Sequence, residues 1–218
     1  MEILSAILHK LGEGIDTILD KIGRASTDSS IVVAPDYALA VKPERPVTNQ
    51  EYAQICRVLE NISLIEKTLI IPGTLPFAQD GAMVHQCPVF YKGNLVAVLN
   101  KETDRGEEEL AKRHGLSYER GDCNKNNLPY NGKNIAVEIY SDHGHQEIPA
   151  NTFLELILAC DQNAGFWIGP RTPKFARAVI VCDSFKPKVE GFKLDQEGKP
   201  EVLKPILGDE ERRVYEVQ

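Results

Sequence analysis

The run Lys133-Asn134-Ile135-Ala136-Val137-Glu138-Ile139-Tyr140-Ser141-Asp142-His143-Gly144-His145 begins as a short apolar segment and ends in a cluster of ionisable side chains. Its Ile and Val content reads as a buried strand. A polar segment, Gly121 to Gly132, precedes it. In α/β proteins, sites collect where a strand stops and the chain turns. The versatile groups of this sequence crowd that turn.

Outward from this strand, β-rich segments alternate with a few helices. On the N-terminal side, Ser29 to Tyr37 reads as a strand stopped by Pro35. Asn49 to Ile65 carries a helical stripe of Tyr52, Ile55, Val58, Leu59 and Ile62, with Thr48 or Asn49 as cap and Glu51 in the first turn. Thr68 to Thr74 is a second strand ending in Pro-Gly. Ala82–Tyr91 and Leu95–Asn100 flank Lys92-Gly93-Asn94, a hairpin signal. Glu107 to His114 reads as a short, charged helix. On the C-terminal side, Leu154–Cys160 and Ala176–Cys182 are apolar strands. A hairpin follows from Lys188, and the tail Arg212–Gln218 alternates like an edge strand or an interface arm. Residues 3–23 carry apolar side chains at helical spacing, interrupted by Gly12 and Gly14, and are read as an N-terminal helix. The expectation is one α/β domain over residues 1–218, with a C-terminal hairpin and tail over 188–218.

Composition excludes several function classes. A net charge of −7 and a pI near 5.3 argue against a nucleic-acid partner, which needs a basic face, and against anionic membrane surfaces. No segment reaches the ~18 apolar residues of a membrane span, and the N-terminus lacks signal-peptide character. The five cysteines, Cys56, Cys87, Cys123, Cys160 and Cys182, include no CxxC pair. That pattern disfavours a disulfide framework or a cysteine-based zinc site, and a cytoplasmic, reducing location fits best. No cofactor is expected.

Several fragments, in order, resemble the nitrilase (carbon–nitrogen hydrolase) superfamily. Val33-Ala-Pro-Asp36-Tyr-Ala resembles the strand end that places a catalytic glutamate. Leu69-Ile-Ile-Pro-Gly-Thr74 resembles the next strand. Val89-Phe-Tyr-Lys-Gly-Asn94, followed by Leu99-Asn-Lys101, resembles the hairpin that delivers a catalytic lysine. Gly106-Glu107 stands where a second glutamate is found. Gly132 to Gly144 resembles the strand that carries the nucleophilic cysteine, and Leu156-Ile-Leu-Ala-Cys160 the strand after it. The likeness spans roughly residues 15–184.

The resemblance implies an abbreviated α-β-β-α sandwich: two mixed sheets with outer helices. It also implies a chemistry in which a cysteine attacks an amide or nitrile carbon, a glutamate moves the proton and a lysine stabilises the oxyanion. Asp36, Lys101, Glu107, Tyr140 and Ser141 are the implied catalytic positions, and Asp142, His143 and Cys160 the implied substrate-binding ones. Two of these depart from the pattern. Asp36 is one methylene shorter than glutamate, and Tyr140 replaces the cysteine. The expected outcome is a pseudoenzyme that binds a small polar ligand or a protein partner, with a homo-oligomer compatible. The alternative is an active amidase or nitrilase with a displaced nucleophile, Ser141 or Cys160.

Three further readings complete the set. In a continued strand, Ser141 would face away from Tyr140. Asp142, His143 and His145 are a weaker candidate for a metal, since imidazole and carboxylate suit zinc or iron. His85 and His114 have no motif context and read as structural or solvent-facing. Trp167 reads as a core aromatic, with a pocket wall or a partner surface as the alternative. The chain is also read as starting at the first helix, without an initial strand, and as too short between Cys160 and Ala176 for a long helix.

Overall fold

The structure is a computed structural model that describes all residues except 41–44, 105, 145, 161–176, 186 and 196–198, together with the side chain of Arg177. Two mixed sheets pack face to face. The first contains β1 (Glu2–Ile7), β2 (Ile31–Val33), β3 (Leu69–Ile71), β4 (Leu75–Gln79), β5 (Ala82–Tyr91), β6 (Asn94–Asn100) and β7 (Ser117–Tyr118), joined by β14 (Leu207–Gly208) and β15 (Arg212–Val217). Its order is β14-β15-β1-β2-β3-β5-β4, with β6 and β7 also pairing to β5. The second contains β8 (Asn127–Tyr130), β9 (Lys133–Ile139), β10 (Thr152–Ala159), β11 (Arg177–Asp183), β12 (Lys188–Leu194) and β13 (Pro200–Val202), in the order β13-β12-β11-β10-β9-β8.

Each sheet has a parallel centre. β1, β2 and β3 are parallel in the first, and β9, β10 and β11 in the second. Between the sheets lies one apolar core. Leu4, Ile31, Val33, Ile71 and Val89 meet Ile135, Val137, Ile139, Leu156 and Ile180 across it. Two helices, α1 (Ile15–Ser26) and α2 (Asn49–Glu66), cover the outer face of the first sheet through Ile18, Ile22, Ile55 and Leu59. Thr48 caps α2 in a full capping box with Glu51, as the sequence suggests. Arg45 grips the Glu51 carboxylate and, with the cap, holds it down at about 2. A short helix, α3 (Glu107–Arg113), packs on β5 and β7.

The outer face of the second sheet carries Ile157, Ala159, Val179 and Val181, all buried. Among the described residues no helix lies over it. The segment between Cys160 and Ala176, with Trp167, lies outside the described residues, and so does the turn 196–198 of the β12–β13 hairpin. No helix among the described residues is long and apolar enough to cross a membrane.

Two expectations are corrected. Residues 3–23 are not one helix, because Glu2–Ile7 is a strand and the helix begins at Ile15. The initial strand is therefore present. β1 is buried on both faces, with Leu4 and Ala6 in the inter-sheet core and Ile7 beneath the helices. A two-face strand reads as a continuous apolar run, which periodicity alone does not separate from a helix. The C-terminal tail is not an edge or an arm. β15 is inserted between β14 and β1, in antiparallel register from Glu2↔Val217 to Ile7↔Arg212.

β15 drives Tyr215 into the inter-sheet core, where it is 2% exposed. A Cβ at Gly191 would lie 2.6 Å from the Tyr215 ring, so the glycine makes room for it. Tyr215→Ala is expected to cost about 3–5 kcal/mol in urea unfolding. Val202→Ala, at an exposed site, should stay within about 0.5 kcal/mol. Equal losses would contradict the mid-sheet placement of the tail.

Candidate active site

The parallel strands of both sheets end on the same side, and the ionisable groups gather there. β2 stops at Val33, and Pro35 turns the chain so that Asp36 is fully buried. Tyr37 has φ +58°, a left-handed value costly for an aromatic residue. The turn after β3 closes against it. Gly73 has φ +83°, and a Cβ there would lie 2.1 Å from the Pro35 carbonyl oxygen. Only glycine permits that approach, and the approach puts Thr74 against Asp36.

Thr74 Oγ1 donates a short hydrogen bond to Asp36 Oδ1. It accepts from the Tyr37 amide at 2.8 Å and lies 2.6 Å from His85 Nε2. His85 Nε2 is also 3.1 Å from Asp36 Oδ1, and its Nδ1 is 3.1 Å from Glu107 Oε1. Both ring nitrogens therefore face acceptors, an arrangement that the doubly protonated imidazolium satisfies. Burial lowers the His85 pKa, but the Asp36 and Glu107 carboxylates outweigh it and the net shift is upward. Glu107 Oε1 also accepts from Lys101 Nζ at 2.5 Å and from Tyr37 Oη at 2.9 Å. Burial pushes the Glu107 pKa up, yet His85 and Lys101 hold it far below the usual carboxylate range. Asp36 Oδ2 is buried without a hydrogen-bond partner.

β9 ends at Ile139, and residues 140–142 form a single 3-10 turn. Tyr140 has φ +49°, a second left-handed tyrosine. Its ring lies beneath the Lys101 ammonium, 4.8 Å from nitrogen to centroid. Lys101 is thus held between Glu107 and Tyr140. Its backbone is fixed as well, donating to the His85 carbonyl at 2.9 Å and accepting from the Gly121 amide at 2.8 Å.

The turn also corrects the reading of Ser141. The strand does not continue, and the Ser141 hydroxyl makes a short hydrogen bond with Thr103 Oγ1. Asp142 accepts from the amides of Glu102 and Thr103 at 2.9 and 2.8 Å and from Thr103 Oγ1 at 2.7 Å. Burial raises its pKa despite these bonds. Both side chains anchor the segment that presents Lys101.

His143 turns away from this cluster. Its Nδ1 makes a short contact with Glu138 Oε2 and lies 3.8 Å from Glu155 Oε1. Asp142 does not join it, and His145 lies outside the described residues. The Asp142–His143–His145 metal set is therefore not assembled among the described residues. Glu138, His143 and Glu155 present ligand atoms within 4.8 Å of one another, a set whose chemistry suits zinc, iron or manganese.

Cys160 follows β10 and is half-buried. Burial and the nearby Asp36 carboxylate push its thiol up to about 12, against a hydrogen bond from Ser184. The other four cysteines are free thiols too, and His114 is exposed.

The structure therefore brings together Asp36, Lys101, Glu107 and Tyr140. The sequence reading missed His85, which is 1% exposed at the centre of the cluster. It also missed Thr74 and Tyr37. The signal for His85 was strand parity, since it shares the inward face of β5 with Cys87 and Val89.

No family model matches the chain, and no curated protein matches it in sequence. Solved structures do match. A glutamate-to-glutamine variant of the amidase from Nesterenkonia sp. AN1, with acrylamide added at its active-site cysteine, has a TM-score of 0.71 at 13% identity and covers 100% of this chain and 94% of that one. The same amidase after removal of its tag has a TM-score of 0.71 at 15% identity, covering 100% and 93%. A cysteine-to-alanine variant in complex with butyramide has a TM-score of 0.68 at 15% identity, covering 98% and 89%. A cysteine-to-serine variant of the same amidase, with a TM-score of 0.69 at 15% identity, is described as belonging to the nitrilase superfamily. The chain has the nitrilase-superfamily fold. The sandwich and its two mixed sheets agree with the expected architecture.

The charge states of the cluster set a pH window. His85, with its raised pKa, contributes stability that is complete below about 6.5 and is lost as pH rises through the folded value. Glu107, with its depressed pKa, contributes stability present above about 4.3 and lost as pH falls through its folded value. His85→Asn is expected to cost about 3 kcal/mol near pH 5.5, with the gap to wild type shrinking in alkaline solution. Thermal unfolding of both proteins across a pH series checks this. A gap unchanged between pH 5.5 and 9.5 would mean that His85 is neutral in the fold.

Proposed function

We propose that this chain uses the nitrilase fold for recognition and has lost thiol-dependent hydrolysis of amides and nitriles. It acts as a pseudoenzyme whose strand-end site binds a small polar ligand. The observation that carries this reading is Tyr140, whose ring lies against Lys101 where the chemistry needs a thiolate beside an oxyanion stabiliser. A phenol has an unperturbed pKa of about 10 and is a poor substitute for a cysteine thiol. The ring also occupies the space over the ammonium.

The remaining groups support binding. Lys101 is engaged by Glu107, and His85 links Glu107 to Asp36. These two cations balance the two acids. Such a closed cluster suits a neutral ligand over a charged one. Asp36 Oδ2, buried and without a hydrogen-bond partner, is an acceptor for an N–H group. A primary amide offers that donor.

The second reading is an active carbon–nitrogen hydrolase with a displaced nucleophile. Cys160 is its candidate, since the thiol lies near enough to Asp36 to feel that charge, although the charge works against a thiolate. Ser141 is disfavoured by its bond to Thr103. Burial keeps the Cys160 thiol protonated at neutral pH, so Cys160 is a weak nucleophile as it stands.

Wild-type protein is expected to release no ammonia from acetamide or butyramide and to form no adduct with fluoroacetamide, read by intact mass. Tyr140→Cys combined with Asp36→Glu should gain one fluoroacetamide adduct at position 140. Wild-type turnover or labelling that disappears in Cys160→Ala would replace this reading with the second one.

A further inference from the structure

Sheet edges carry unpaired backbone groups and are ordinarily blunted by proline, charge, shortness or a covering segment. Among the described residues, five edges of this sandwich follow that rule. β8 contains Pro129, β13 is Pro200-Glu-Val202, and β7 and β14 have two residues each. β4 is covered at Val47, whose amide donates to the Pro76 carbonyl and whose carbonyl accepts from Ala78.

β6 is different. It runs Asn94-Leu-Val-Ala-Val-Leu-Asn100, without a proline or a charged residue. Leu95, Val96 and Val98 are 44%, 51% and 38% exposed. Its inner edge pairs with β5, and Val98 stands opposite Pro88 there. Proline has no N–H, so this is a non-hydrogen-bonded pair and the amide and carbonyl of Val98 point outward. Val96 is the extra residue of a bulge and has no partner in β5. Among the described residues, Asn126 closes the far end, accepting from the Asn100 amide at 3.0 Å and donating to its carbonyl at 2.9 Å. The Asn100 side chain donates to the Val98 carbonyl at 3.4 Å, a long bond that a second strand would displace. The bulge adds twist but no charge.

The sequence of β6 is a palindrome about Ala97. Two copies paired antiparallel on a two-fold axis through Ala97 would set Ala97 against Ala97, and Val96 against Val98. The bulge puts Leu95 on the helix side with Phe90 and leaves Leu99 in the inter-sheet core, so the matched run is Val96-Ala97-Val98. The outward groups of Val96 and Val98 are then the ones that meet, as a hydrogen-bonded pair. Each residue meets its own type, the self-complementarity that a closed two-fold interface requires.

We propose that β6 is the dimerisation edge of this protein, joining the first sheets of two copies into one continuous sheet. A stable interface buries at least about 1,200 Å² in total, more than one strand pair provides. The C-terminal half of α2 extends the apolar surface, with Val58, Leu64 and Ile65 exposed. It leans on the β5–β6 turn, where Ser63 Oγ accepts from the Gly93 amide at 3.0 Å. This proposal is independent of the strand-end site and of any activity there.

Sedimentation velocity of the full chain is expected to show a dimer at micromolar concentration. Val96→Lys with Val98→Lys places lysine opposite lysine at exposed positions and should weaken the dimer at least about 100-fold, with the far-UV spectrum unchanged. Ala97→Cys should form a symmetric intermolecular disulfide under mild oxidation, whereas wild type should not. A wild-type monomer up to 100 µM would overturn the proposal. So would growth beyond the dimer, a dimer indifferent to the two lysines, or a dimer in which position 97 does not cross-link.

Discussion

The structure depends on a buried ion cluster that is stable only when complete. Asp36, His85, Lys101 and Glu107 are each 1% exposed or less. A single charge in that position would cost several kcal/mol in desolvation, and its partners lower the cost only through direct contact. The contacts are supplied. Lys101 and His85 both reach Glu107 Oε1, and His85 reaches across Thr74 to Asp36. Removing any one member strands another. The cluster joins the end of β2, the turn after β3, the middle of β5, the end of β6 and the start of α3, so the first sheet and its short helix are held by one polar junction.

Backbone strain sits around that junction. Tyr37 and Tyr140 both adopt left-handed φ, one at the end of β2 and the other at the end of β9. Each costs of order 1–3 kcal/mol and persists only where surrounding contacts over-determine it. Tyr37 is fixed by its hydroxyl on Glu107 and its amide on Thr74. Tyr140 is fixed by Lys101 above its ring and by the anchored Ser141 and Asp142 that follow. Backbone strain and buried charge thus meet at the same strand ends, with the Lys101 ammonium against the Tyr140 ring.

Much of this was legible because local pattern and tertiary environment agreed. Asn49 to Glu66 has one apolar stripe, a cap and a solvent face, so periodicity identified it. The Lys92-Gly93 turn and its flanking strands were legible for the same reason. Legibility failed where burial was two-sided. Glu2 to Ile7 lies between a helix layer and a second sheet, and its apolar residues carry no period that separates strand from helix. It failed for Asn127–Tyr130 and Leu207–Gly208 as well, since short edge strands exist only because a neighbour offers them hydrogen bonds.

The sequence by itself determined the strand that ends at Tyr140, the positions of Asp36, Lys101 and Glu107, and the palindrome of β6. Residue identity and order along the chain are enough for those. Tertiary structure alone decided that His85 joins the acids, that Ser141 and Asp142 serve the segment behind Lys101, and that His143 turns to Glu138. The physical reason is distance in sequence. His85 meets Asp36 across 49 positions and Asp142 meets Thr103 across 39. Strand order within the first sheet brings His85 to Asp36, and packing the second sheet on the first brings Asp142 to Thr103.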